Sequence, residues 1–378
     1  MINELSSLLK DNKIEIVQNR SRYKEFAQRF SLPSSEIRFI DFNRTGVYLP
    51  NQEVSVGFRA RFLTEVKSPQ GKRKTFFALP VRGRKDTNLY ARNGEVKFRD
   101  DVFGSIEEIE LDTCDMSYMR GPTKLNMNSR RRGNCSGCKA CVHNYKNLYD
   151  ETVLKDTKEL KTEEDINLFF EDLERVGVNV PQLEQIAVVT GLFHGEAKVV
   201  DHMQKVQRVV GGKGFNGELM YFGCEVNSEG ALRQLADLRN FTLIYAIDNF
   251  SKRKQILAGE KAGIDLEKVR ETLQRAKEKE IQTTYAYIVG IDKLETMEKE
   301  AERLMDTITR FPIVNIYQVQ TPGQIRVMTP FAKTLEYYLH SRKIFERIFE
   351  GTDFKPRRWE NYRPLWYDLF KGQPLTDS

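Results

Sequence analysis

The chain has 378 residues, 40% of them hydrophobic, enough to bury the core of one large domain or two medium ones. No run approaches the roughly 18–20 consecutive apolar residues of a spanning helix, and the opening MINELSSLLKDNKIEIV lacks the order of a secretory signal; a soluble cytoplasmic protein is expected. The formal charge of +6, from 60 basic and 54 acidic residues, permits nucleic acid or an anionic substrate and demands neither.

Residues 1–115 open with helical patterns at 2–10 and 22–30, then strand-like pieces at 37–42, 54–66 and 74–81 separated by Gly, Pro, Asn and Lys turns. An N-terminal α+β accessory domain is expected there. Residues 116–330 alternate short apolar runs with amphipathic stretches. The runs at 125–128, 186–190, 218–223, 241–248, 283–291 and 313–319 make six strands. The stretches at 166–176, 197–210, 228–238, 266–280 and 294–308 have a period near 3.6 and predict helices, with Ser228, Asp265 and Asp292 as starts. Such spacing implies parallel pairing with right-handed crossovers, in an open doubly wound sheet or a barrel. Residues 331–378 begin with a long amphipathic helix over 331–349. They end in KPRRWENYRPLWYDLF, whose aromatic content predicts that it packs back on the preceding domain.

Cysteine usage is the most informative feature. Three of the five cysteines, Cys135, Cys138 and Cys141, fall within seven residues directly after the first of the six strands, in NSRRRGNCSGCKACVHNY at 128–145. That count and clustering do not suit a secreted disulfide framework; thiolate ligation of a metal does. Three thiolates on a tight C-x2-C-x2-C loop can hold three irons of a [4Fe–4S] cluster and leave the fourth open to a small ligand. Gly133 and Gly137 suit a backbone wrapping around such a group. A ferredoxin run would continue to a fourth cysteine and a proline, where this chain has Val142, His143, Asn144 and Tyr145. A zinc site would need a fourth ligand such as His143.

A three-cysteine loop after strand one of a six-unit βα domain resembles the radical S-adenosylmethionine (SAM) superfamily, over residues 120–330. The common spacing there is C-x3-C-x2-C, with an aromatic residue where this chain has Ala140. The resemblance implies a partial (β/α)6 barrel open on one side, with strands in sequential order. It also implies a [4Fe–4S] cluster on Cys135, Cys138 and Cys141, SAM chelated by the open iron, and reductive cleavage of SAM to a 5′-deoxyadenosyl radical.

The same resemblance suggests SAM contacts at the other strand ends. In TGLFHGEAK, Gly191, Gly195 and Glu196 look like a stretched Gly-Gly-Glu segment for the methionyl amine; a helix-capping role is the structural alternative for Glu196. The passage 221–251 resembles biotin synthase, where Asn and Asp at the end of the fourth strand bind ribose. Asp248 and Asn249 match, and a turn or cap is their structural alternative. Tyr287, Ile288 and Gly290 match the Gly-x-Ile-x-Gly segment that lies against adenine.

Cys114 and Cys224 read as structural thiols, and His202 and His340 as surface or packing residues; His194 is the one histidine in a strand-end loop. Arg130, Arg131 and Arg132 could attract the SAM carboxylate or a flavodoxin- or ferredoxin-type reductant, and equally fit a solvated basic run. The substrate, a small molecule or a peptide, is not legible. The rival function is a non-catalytic zinc or iron–sulfur module contacting nucleic acid or a redox partner.

Overall fold

The computed structural model describes residues 13–17, 19–49, 58–68, 71–82, 87–99, 101–111, 117–129, 137–141, 159–189, 193–358, 360–361 and 363–375. Helices α1 (Arg20–Phe30) and α2 (Ser34–Thr45) come first. Asn19 caps α1, its side chain accepting from the Ser21 N–H at 3.0 Å, and Ser31 in the left-handed region ends it. The strand expected at 37–42 is instead the middle of α2. Glu36, Ile37 and Phe39 through Thr45 are all buried, so this helix has no polar stripe. Ile37 and Phe39 flanking Arg38 then mimic a period of two.

Strands β1 (Val47–Tyr48), β2 (Phe58–Ser68), β3 (Gly71–Arg82), β4 (Leu89–Arg92), β5 (Glu95–Phe98) and β6 (Asp101–Leu111) close into a small barrel in the order β1-β3-β2-β6-β5-β4. Strand β1 runs parallel to β3 and β4, and the remaining pairs are antiparallel. Closure leaves no free sheet edge to recruit another chain. Leu79, Val81, Leu89, Val96 and Phe98 share one core with Phe26, Ile40 and Phe42 of the two helices.

The second sheet carries the site. Strands β7 (Tyr118–Gly121) and β8 (Lys124–Met127) form an antiparallel hairpin. Then β9 (Gln185–Val189), β10 (Glu218–Gly223), β11 (Phe241–Asp248), β12 (Gln282–Val289) and β13 (Ile313–Ile316) add in parallel, in unbroken sequence order. A doubly wound sheet would reverse at a switch point; six parallel strands in sequential order are a partial (β/α)6 barrel. Strand β7 is an addition that the sequence pattern did not reveal.

The crossovers are α3 (Glu163–Arg175), α4 (Glu196–Gly212), α5 (Glu229–Ala236), the short α6 (Arg253–Ile256) and α7 (Glu260–Gly263), α8 (Leu266–Glu278) and α9 (Leu294–Leu304). Ser228 and Asp265 are N-caps as expected, accepting from the Ala231 and Glu267 N–H groups at 3.1 and 3.2 Å. Asp292 is not: Lys293 holds the cap position of α9, while the buried Asp292 carboxylate accepts from the Phe250 and Ser251 N–H groups at 2.8 and 2.9 Å. Among the described residues no helix is long and apolar enough to cross a membrane.

Strand alternation divides the sheet into two faces. Leu125, Ile186, Val188, Leu219 and Leu243 pack outward against the first crossover helices, while Ala187, Met220, Ile244, Ala286 and Ile313 form a separate inner belt. Toward the carboxyl ends, the inward row Val189, Phe222, Ala246, Ile288 and Asn315 is half-exposed, so the concave face stays open there. At the amino ends the inner face is closed by charge. Glu218 accepts from Gln185 Nε2 at 2.7 Å and from Thr242 and Arg310, and Arg310 also binds Glu360. The cavity of about 290 Å³ at that pole is lined by Gln185, Glu218 and Thr242 of this network and by Lys124, Glu184 and Arg357, whose charges pair as Lys124 with Glu184 and Arg357 with Glu218. That placement suits a closed base, since stability residues of βα barrels gather at the amino face.

After β13 come α10 (Pro322–Ile325) and α11 (Leu335–Ile348). The expected helix from residue 331 starts late because Pro330–Lys333 makes a 3-10 turn and Thr334 then caps α11. The aromatic tail runs along the outer edge of β13. The Ile316 N–H donates to Arg363 O at 2.7 Å and the Arg363 N–H to Asn315 Oδ1 at 2.8 Å. Tyr367 and Asn43 of α2 are joined by a 2.5 Å hydrogen bond, so the tail touches the N-terminal helices as well.

Candidate functional site

The described part of the cysteine loop, residues 137–141, lies across the carboxyl ends of the inner sheet. Gly137 adopts φ +75°, a left-handed turn that suits glycine. The Lys139 N–H donates to Ile256 O at 2.7 Å, which ties the loop to α6 after β11. Ala140 O accepts from Tyr317 Oη at 3.0 Å and Gln324 Nε2 at 3.1 Å, which ties it to the end of β13 and to α10. Cys138 and Cys141 are half-buried, and the Ala258 N–H points at Cys138 Sγ from 3.4 Å. A loop that follows β8 is thus clamped over the ends of β11 and β13, on the far side of the concave face. Cys135, Cys114, Gly191, His143 and Arg130 to Arg132 lie outside the described residues.

Gly195 and Glu196 open α4. Gly195 has φ +121° with open space where a Cβ would go. Glu196 Oε2 accepts from the Asn227 N–H at 3.0 Å and the Ser228 N–H at 2.9 Å, beside the start of α5. Burial would raise the Glu196 carboxyl, but the bonds from Ser228 and Asn227 outweigh it and hold the group below the usual range. Its strongest visible role is to satisfy the loop after β10. Next to it, His194 stands at φ +55°.

Asp248 terminates β11 behind a bulge at Ala246/Asp248, itself at φ +62°. Its Oδ2 lies 2.5 Å from Lys261 Nζ. Asn249 is fully buried: Oδ1 accepts from the Lys252 N–H at 2.9 Å, whereas Nδ2 finds no partner among the described residues. Ile288 belongs to the half-exposed inward row and pairs with Asn315. Gly290, at φ +128°, has no room for a side chain: a Cβ would come within 2.9 Å of Tyr317 Cβ and 3.0 Å of Tyr338 Oη. Gly290→Ala should therefore cost about 1–3 kcal/mol of stability, more than Gly195→Ala, where only backbone strain acts. Urea titration of the two variants makes the comparison; equal midpoints would contradict the packing role of Gly290.

The structure thus brings Asp248 together with the half-buried Lys261 beside the cysteine loop, and places Asn249 and Ile288 on neighbouring strand ends. Glu196 faces the α5 side. Sequence reasoning missed Lys261, one lysine in a lysine-rich stretch, and Glu225. Glu225 sits behind β10 and accepts from Tyr221 Oη at 2.6 Å, the Cys224 N–H at 2.8 Å and the Phe193 N–H at 2.9 Å. It locks two strand-end loops together. Cys224 is buried, and that burial, opposed by Lys261, pushes its thiol up to about 12. His202 packs against Phe193 and meets Ser129 Oγ at 2.7 Å.

The sequence matches no protein-family model and no curated protein. Solved structures with a similar chain path include SuiB of Streptococcus suis bound to S-adenosylmethionine, at 10% identity over 56% of this chain and 44% of that one, TM-score 0.39. The FeFe-hydrogenase maturase HydG of Carboxydothermus hydrogenoformans is similar at 14% identity over 66% and 63%, TM-score 0.39. The radical S-adenosylmethionine methyltransferase TsrM of Kitasatospora setae, with cobalamin and a [4Fe–4S] cluster bound, is similar at 12% identity over 69% and 49%, TM-score 0.36. The chain spans less than two thirds of each of these proteins.

Among the described residues no three His, Cys, Asp or Glu side chains converge as a metal site. Cys138 and Cys141 supply two thiols of the loop, and the third, Cys135, lies outside those residues. The donor chemistry fits an iron–sulfur cluster: soft sulfur ligands on a tight turn, with a backbone N–H aimed at one of them.

Proposed function

We propose that the chain is a radical SAM enzyme holding a [4Fe–4S] cluster on Cys135, Cys138 and Cys141. The observation that carries this reading is the position of the cysteine loop, pinned by Ile256, Tyr317 and Gln324 over the carboxyl ends of six sequential parallel strands. When bound, cluster and SAM together would supply one-electron cleavage of SAM to methionine and a 5′-deoxyadenosyl radical, which becomes 5′-deoxyadenosine on taking a hydrogen atom from the substrate. The chain's own part is to bind, orient and exclude water. The half-exposed row Val189, Phe222, Ala246 and Ile288 offers an apolar floor to an adenosyl group and substrate, with the polar Asn315 at its edge. Asp248, with its side chain 20% exposed, and Asn249 beside it at the end of β11 are the polar residues assigned to the ribose hydroxyls. The substrate is a small molecule or a peptide, and the electron would come from a flavodoxin- or ferredoxin-type protein.

The test is anaerobic reconstitution with iron and sulfide, then incubation with SAM and dithionite. A brown protein that forms 5′-deoxyadenosine is the expected result. A colourless protein carrying zinc, or a cluster protein that forms none, would overturn the proposal.

A further inference from the structure

We propose that the segment Ile256–Lys261 sets the charge environment of the cluster, with Lys261 as a positioning residue that makes the cluster easier to reduce. This rests on the function proposed above. Two contacts reach the cysteine loop from this one short segment, Ile256 O taking the Lys139 N–H at 2.7 Å and the Ala258 N–H meeting Cys138 Sγ at 3.4 Å, and the same segment carries Lys261, whose Nζ sits 2.5 Å from Asp248 Oδ2 at the end of β11. Lys261 is largely buried, with its side chain 23% exposed, so its charge is only weakly screened by solvent.

Burial alone would lower the Lys261 ammonium, but the Asp248 carboxylate outweighs it and holds the group above the ordinary lysine range. The cation stands three residues beyond Ala258, whose N–H reaches Cys138 Sγ. A second cation is nearby: the Arg253 guanidinium is held by the carbonyls of Ile247, Asn249, Lys261 and Ile264. Asp248, Asp292 and Glu225 are the carboxylates around these two cations, and of the charged groups Lys261 is the one carried by the segment that touches the cysteine loop.

Iron–sulfur potentials respond to net charge nearby and to hydrogen bonds on the sulfurs, and this segment supplies one of each. Reduction adds an electron to an already negative group, so a fixed ammonium favours the reduced state. Asp248 opposes it and limits the effect.

The experiment uses the full chain, anaerobically reconstituted and without SAM. Iron and sulfide are counted, and the cluster's midpoint potential is read by a redox titration followed by electron paramagnetic resonance. Lys261→Met is expected to shift the potential to more negative values at unchanged iron content, Lys261→Arg to restore it, and Asp248→Asn to shift it the other way. A tie that only held the loop in place would instead cost iron without moving the potential. If Lys261→Met fails to hold iron, Asp248→Asn, which leaves the ammonium in place, decides. A cluster-bearing wild type whose potential is indifferent to both changes overturns this inference alone, and so does loss of iron from both variants. A wild type that takes up no cluster overturns the proposed function and this inference with it.

Discussion

Alanine at Cys138, Cys141 or Cys135 should reduce bound iron from roughly four atoms per chain to near none, while Cys224→Ala keeps it. The contrast follows from where the thiols stand. Cys138 and Cys141 are half-buried on a loop clamped over the mouth of the concave face, with an amide N–H already directed at Cys138 Sγ. Cys224 is buried at the end of β10, in the same core as Tyr245 and Ile247. Burial pushes its thiol up to about 12, so a metal would have to displace a tightly held proton there. Replacing it with alanine removes one small buried group, a cost on the order of 1 kcal/mol. Iron and sulfide analysis after anaerobic reconstitution reads both outcomes. Iron lost on changing Cys224 alone would mean that the ligand set includes it.

The barrel was legible because its evidence is periodic. Each inner strand is short, apolar and followed by an amphipathic helix, and the expected spans at 218–223 and 241–248 match β10 and β11 residue for residue. Sequential strand order could not be read from that alternation, since local pattern carries no information on which strands pair. Where burial is complete the signal fails: α2, buried on every side, looked like a strand. The cysteine loop declared itself by spacing, but its neighbours did not. Lys261, Arg253 and Glu225 act through contacts with residues far away in sequence or through backbone carbonyls, and no motif marks them. Asp292 shows the same limit: its Asp-then-helix pattern reads as a cap, yet the carboxylate crosses to the Phe250–Ser251 amides that follow β11.

Arg342→Met should destabilise the protein by about 3–5 kcal/mol, the cost of leaving a buried charge without its partner. Arg342 and Glu36 are both fully buried, one on α11 and the other on α2, and they are directly paired. The same guanidinium binds Glu346 at 2.9 Å and the Leu369 carbonyl at 2.6 Å, while Glu36 also accepts from the Asp368 and Leu369 N–H groups at 2.5 and 3.1 Å. One arginine therefore joins the N-terminal helices, the last long helix and the aromatic tail. With typical denaturant slopes the loss corresponds to a fall of about 1–2 M in the urea midpoint. Glu36→Gln in the same chain should recover part of it, because the stranded carboxylate is then neutral. Acid offers an independent check. Burial would raise the Glu346 carboxyl, but Arg342 and Lys343 outweigh it and hold the group below its ordinary value. A depressed carboxyl contributes stability that is complete above its unfolded value, about 4.3, and is lost as pH falls through the folded one. Wild type should lose stability over that acid range more steeply than Arg342→Met, which has already lost the cation that depresses Glu346. Parallel acid profiles for the two proteins would mean that the guanidinium does not set the Glu346 titration. A small change in urea midpoint would mean that the tail is held by its aromatic packing and not by this ion network.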